Sequence, residues 1–235
     1  MPNHVTNNLE LNCSSERCQE ILEYLRVDGE VLGSIDFNKL IPMPESLDIE
    51  SGSRGEEGRI LYGRFLNEAE KANTESERDQ IYQKYVSMCG DDPQKLELGK
   101  QYYENMRNYG ATTWYEWRWD HWGTKWNAYD WYAVEPGNDF ISFNTAWSPV
   151  PKLIKAMSER FPEVKVRYSW ADEDIGFNTG IMEFKNGRTI FQDIPKGGTR
   201  HAYEIACDIQ GYDVDEFDVG FEDAFPQKER DHDTR

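Results

Sequence analysis

Long apolar runs are missing from this 235-residue sequence. No stretch approaches the roughly 20 apolar residues that span a bilayer. The opening MPNHVTNNLELNC has neither the basic start nor the apolar middle of a signal peptide. Both absences point to a soluble, cytoplasmic chain with no membrane association. Cysteine is scarce: Cys13, Cys18, Cys89 and Cys207 form no C-x-x-C pair and no Cys/His cluster. No zinc or other metal site is therefore expected, and in a reducing compartment all four should be free thiols. Basic charge is short as well, with 26 Lys and Arg against 44 Asp and Glu and a net charge of −18. Such a balance opposes the phosphate neutralisation that drives nucleic-acid binding. No phosphate loop, catalytic triad or metal spacing is present, so no catalytic residue and no cofactor is assigned.

Hydrophobic periodicity organises what is there. HVTNNLELN alternates as a half-buried strand, and Cys18, Ile21, Leu22 and Leu25 follow at helical spacing. SIDFNKLIP alternates through Ile35 and Phe37 before Pro42 and Pro44 end the pattern, which predicts a second strand over 34–40. SLDIESGSRGEEG reads as a polar, glycine-rich loop. Three helices are predicted near 58–72, 75–88 and 93–109. Thr74 with Glu77 forms a capping pattern, Asp92 and Pro93 open the third helix, and Gly90 and Gly110 act as stops. DFISFNTAW then reads as a strand, Ser148 and Pro149 start a helix burying Leu153, Ile154, Met157 and Phe161, and VKVRYSWA returns as a strand. GIMEFKNGRTIFQ is a hairpin turning at Asn186-Gly187, and 199–210 is a final helix.

The pattern predicts an α+β fold, a ferredoxin-like split β-α-β sandwich with a helical insertion between its two halves. Residues 5–11, 34–40, 140–145 and 164–171 should share one antiparallel sheet with both principal helices on one face. The boundaries read as 1–45 and 132–195 for the sandwich, 46–131 for the insertion with its Trp-rich segment, and 196–235 for a C-terminal helix and acidic tail. Seven carboxylates and no Lys or Arg fall between Cys207 and Phe225, a solvated surface or one aimed at a basic partner.

Six of the eight tryptophans lie in TTWYEWRWDHWGTKWNAYDW, residues 112–131. Trp114 and Trp117, like Trp119 and Trp122, stand three apart and share a helix face; Gly123 ends that helix. The segment is either an anchor packing the insertion onto the sheet or a recognition surface. The anchor reading predicts that most of these rings are buried, Trp126 among them. Polar residues threaded through the rings make a candidate binding site of His121, Trp122, Thr124, Lys125, Trp126 and Asn127. Lys125 between two indoles would anchor an anion or make a cation–π contact. A free N-terminal Pro2 with His4 close by is a further, weaker route to amine chemistry.

Four stretches, MPNHVTN, FNKLIPMP, WGTKWNAYD and TAWSPVP, resemble the YubB or Api-like proteins of phages and conjugative plasmids. The resemblance implies a ferredoxin-like domain of unknown function in a mobile-element context and brings no catalytic residue. With the charge, it points to a non-enzymatic interaction protein that binds a host or element-encoded macromolecule, possible contacts being an acidic surface or the aromatic segment. The alternative is an enzyme or small-ligand binder with a pocket in WGTKWNAYD. Single-stranded nucleic acid on an open sheet face is a third reading, weakened because Phe140 and Phe143 differ in parity and the first strand has no aromatic.

Overall fold

The computed structural model describes residues 3–217. The chain divides into two compact units, Met1–Ile35 with Ala128–Arg235, and Asp36–Asn127. The acidic stretch beyond Phe217 lies outside the described residues, as do Met1 and Pro2.

The first unit is built on a five-stranded antiparallel sheet ordered β2-β1-β3-β4-β5. Its centre is β1 (His4–Asn12), whose alternation buries Val5, Asn7, Leu9 and Leu11. On either side lie β2 (Phe140–Ala146) and β3 (Lys165–Asp172), both antiparallel to β1 and joined to each other through a helix. That is a split β-α-β unit. The remaining strands, β4 (Gly180–Lys185) and β5 (Arg188–Asp193), turn at Asn186 and Gly187, with φ of 50° and 67°. Two successive left-handed residues make the tight hairpin that an Asn-Gly pair favours.

The strand predicted over 34–40 does not form. Asp36 Oδ1 accepts the Asn38 N–H at 3.0 Å and folds Phe37–Lys39 into a 3-10 turn, and Ile41 N–H closes on Phe37 O. A side-chain acceptor two residues upstream outcompetes the ladder. β4, antiparallel to β3 and hence parallel to β1, supplies the further strand beyond β3, while Tyr129 bridges Asn144 at the outer edge of β2. The sandwich survives, with one of its expected strands replaced by a hairpin strand.

Two helices cover one sheet face. Helix α1 (Ser15–Leu25), capped by Ser14, buries Cys18, Ile21, Leu22 and Leu25, as its spacing predicts. In the second unit lie α2 to α5, described below. Helix α6 (Pro151–Arg160) starts two residues later than predicted and buries Leu153, Ile154 and Met157. The two meet edge-on through Tyr24 and Phe161, with centroids 5.5 Å apart. Beneath them runs a buried polar network. Asn7 Nδ2 donates to Val5 O (2.7 Å) and Thr145 Oγ1 (2.9 Å), and Tyr168 Oη donates to Asn7 Oδ1 (2.6 Å) while accepting the Val150 N–H (2.8 Å). Thr145 Oγ1 donates to Ser148 O at 2.8 Å. The network ties three strands to the start of α6, and burial pushes the Tyr168 phenol well above its ordinary range. Helix α7 (Arg200–Gln210) packs on the opposite face, where it meets β3, β1 and β4.

The second unit holds α2 (Ser53–Ala69), α3 (Glu75–Met88), α4 (Gln94–Tyr109) and α5 (Trp114–Trp122). The predicted α3 is met, with Thr74 Oγ1 accepting the Glu77 N–H at 3.1 Å. Helix α2 begins five residues before its predicted start, inside the stretch read as loop. Its glycines serve packing rather than turning: a Cβ on Gly58 would lie 2.2 Å from Lys95 O, and one on Gly55 would lie 2.1 Å from the Tyr102 ring. Glycine there lets α2 and α4 cross closely. Asp92 does not act as a side-chain cap; its carboxylate takes Arg54 in two hydrogen bonds of 2.7 and 2.9 Å. Phe65, Ala69, Tyr85, Cys89 and Leu96 form one core cluster of this helical unit.

Candidate functional site

The tryptophan helix is set from both ends. Thr113 and Glu116 form a reciprocal capping box at the start of α5, and Gly123, with φ of 81°, ends it. The helix turns Trp117 and Trp122 inward, 5% and 0% exposed. Trp122 meets Phe37 edge-on at 5.7 Å and Trp117 at 6.0 Å, and its Nε1 donates to Ile41 O at 2.9 Å. Trp114 and Trp119 are half-buried. Trp126, expected inside, is 38% exposed, because the chain beyond Gly123 leaves the helix and points this ring outward.

Of the six predicted site residues, Trp122 and Thr124 are fully buried. Asn127 spends its amide on the other end of the same unit: Oδ1 accepts the Phe37 N–H at 2.9 Å and Nδ2 donates to Asp36 Oδ1 at 3.0 Å. FNKLIPMP and WGTKWNAYD, both singled out in the sequence, thus clasp each other. His121 is half-buried and stacks on Trp117, with centroids 4.1 Å apart and planes 7° apart. Its Nδ1 lies 2.9 Å from Trp117 O. A carbonyl only accepts, so Nδ1 carries the hydrogen and Nε2 is the basic nitrogen. Lys125 Nζ lies 4.5 Å above the exposed Trp126 ring.

Arg118 is one of the polar residues threaded through the rings, but the candidate site read from the sequence left it out. Its guanidinium lies between Trp114 and Trp122, 5.1 and 4.9 Å from their ring centres, and donates to Lys125 O at 3.4 Å. Its Nε is buried with no hydrogen-bond partner. Burial lowers its pKa, opposed by the charge of Asp48. The indole faces take the place of a carboxylate.

A separate concavity lies in the sheet unit, between α7 and the outer sheet face, with a volume of about 500 Å³. The strands contribute Asn8, Glu10, Arg167 and Ser169, and α7 contributes His201, Glu204 and Asp208. Strand parity explains the set: Asn8 pairs with Ser169 and Glu10 with Arg167 on the face opposite Leu9 and Tyr168. Asn8 Oδ1 is buried with no donor. Arg167 Nε lies 3.4 Å from Glu10 Oε1, an ion-pair distance without hydrogen-bond alignment, so that nitrogen too is unsatisfied. His201 Nε2 meets Asp193 Oδ2 at 2.8 Å, and Arg200 meets Glu204 at 3.0 Å. Unmet hydrogen-bonding capacity in a concave, charged place is what a ligand or partner would complete. No group of three or more His, Cys, Asp or Glu is placed to hold a metal ion among the described residues. Among the same residues, no helix is long and apolar enough to cross a membrane.

Residues 121–218 match the family described as the ferredoxin-like domain in Api92-like protein. The sandwich is a ferredoxin-like domain similar to that one. The match takes in β2 to β5, α6 and α7, while the central strand β1 comes from outside it. Among solved structures, the chain is similar to the crystal structure of a protein Api92 from Yersinia pseudotuberculosis. The identity is 10%, over 84% of this chain and 99% of that one, with a TM-score of 0.43. No curated protein matches the chain.

None of the groove residues was in the candidate site read from the sequence, although Phe140 was weighed for an open sheet face and Asp208 belongs to the acidic run. The available signal was the polar parity of Asn8 and Glu10 on β1 together with the apolar stripe Ala202, Ile205, Ala206 and Ile209 on α7. Such a helix needs a surface to cover.

Proposed function

We propose that the protein is a non-enzymatic interaction protein of a phage or plasmid that binds a basic, host- or element-encoded protein, with the groove under α7 as its contact. The observation that carries this reading is the unmatched chemistry of the groove. Asn8 Oδ1 is buried without a donor, and three carboxylates, Glu10, Glu204 and Asp208, line the groove with one guanidinium, Arg167, while Arg200 on the same helix takes Glu204. A lysine or arginine side chain of a partner supplies both the missing donor and the missing positive charge. The net charge of −18 steers a basic partner inward and repels nucleic acid. The mobile-element context rests on the resemblance of the sequence motifs alone.

The test is fluorescence anisotropy of a labelled Lys/Arg-rich peptide titrated with the full chain, wild type against Glu204→Gln with Asp208→Asn. Binding should weaken about tenfold in the double variant, on the order of 1.4 kcal/mol, and should fall with added salt. No binding at low salt, or equal binding by both proteins, overturns the reading.

One observation favours a second reading, a small-ligand site beside α5: the basic Nε2 of His121, held in its tautomer by Trp117 O, lies on the same helix as the cation Arg118. Thermal shift against a library of small anions separates the two, since a ligand at a hundred times its Kd stabilises by about 2.7 kcal/mol.

A further inference from the structure

The four cysteines are not equivalent. Cys207 is buried in α7, and Cys89, buried at the end of α3, donates to Tyr85 O. Cys13, just past β1, and Cys18, in the first turn of α1, place their sulfurs 3.0 Å apart. Cys18 is buried and Cys13 is half-buried. Both line a shallow hollow of about 430 Å³ with Ser15 and the 135–139 segment, so a small reagent can reach the pair. Two thiols at that separation need only a small approach to reach the ~2.05 Å of a bond.

We propose that Cys13 and Cys18 are an oxidisable pair, which a low-molecular-weight disulfide such as oxidised glutathione converts into an intramolecular disulfide joining the end of β1 to α1. Cys13, the more exposed, loses its proton and attacks one glutathione sulfur, releasing one glutathione thiolate and leaving a mixed disulfide. Cys18 then loses its proton, attacks Cys13 Sγ and expels the second glutathione. Two protein thiols are oxidised, one glutathione disulfide is reduced to two thiols, and the two protons pass to the leaving thiolates. Burial and the neighbouring Cys18 push the Cys13 thiol up to about 12, against the opposing charge of Arg17. The thiolate is scarce at neutral pH, so the reaction is slow there and accelerates in alkali.

The purified full chain is incubated with oxidised glutathione at about pH 7 and about pH 8.5, quenched with acid, alkylated and digested with trypsin. Trypsin cuts after Arg17, so Cys13 and Cys18 fall on different peptides. The expected result is a disulfide-linked pair of those peptides, loss of two of the four alkylatable thiols, and faster formation at the higher pH. Cys89→Ser with Cys207→Ser should still give the linked pair, and Cys18→Ser should abolish it. Four free thiols throughout, or a Cys13–glutathione adduct that persists unresolved, overturns the proposal.

Discussion

The two units solve the same problem, holding chain segments far apart in sequence, with opposite chemistry. In the sheet unit the joint is polar: Asn7, Thr145, Tyr168 and the Val150 amide satisfy one another beneath α1 and α6. In the helical unit the joint is aromatic: Trp122 fills the space beside Phe37 and Trp117 and uses its one polar atom on Ile41 O. A ring contributes through area and volume, so truncating it costs stability in proportion to what is removed. A buried network contributes mainly through what would be left unpaired, so losing one oxygen strands its neighbours.

The largest effect should come from the aromatic joint. Trp122→Ala removes a fully buried indole and should cost about 3–5 kcal/mol, a large part of a typical total of roughly 5–15 kcal/mol. A urea melt with a wild-type midpoint would break the comparison. Next comes the polar joint. Tyr168→Phe leaves Asn7 Oδ1 without its donor and the Val150 N–H without its acceptor, at about 1–3 kcal/mol. Urea melts check this too, and a loss above that of Trp122→Ala would invert the ranking. The smallest effect should come from Trp126→Ala. This ring is exposed, with Lys125 Nζ placed above it, so the loss should be no more than about 0.5–1 kcal/mol. A loss like that of Trp122→Ala would make Trp126 a buried anchor after all.

Local rules made much of the fold legible. HVTNNLELN is β1 to the residue, α3 spans the predicted 75–88, and Asn186-Gly187 turns the hairpin. Each depends on periodicity or a turn dipeptide, which neighbouring residues settle among themselves. The failures needed distant partners. Ile35 and Phe37 alternate like a strand, but the Asp36 carboxylate, held by Asn127 and by the Asn38 amide, bends the chain into a turn. Gly55 and Gly58 look like loop residues until Tyr102 and Gly99 are seen against them. For the candidate site, the Trp-rich stretch advertised itself by composition, yet Trp122, Thr124 and Asn127 belong to the interior or to the clasp. The groove stayed hidden because its residues come from four strands and a late helix, and no window of sequence holds them together.

The hydrogen bonds between Asn127 and the Asp36–Phe37 stretch have a kinetic consequence. Strand β1 cannot pair with β2 until a segment of roughly 130 residues has been closed into a loop, and the entropy of closure grows with the logarithm of its length. By bringing the two ends of the helical unit together, the clasp removes most of that segment from the search. The effective loop shrinks to roughly 40 residues, lowering the entropic barrier to nucleating the sheet by about 1 kcal/mol. A long insertion between the central strand and its partner then acts on the folding rate as a short tether, provided the helices assemble first.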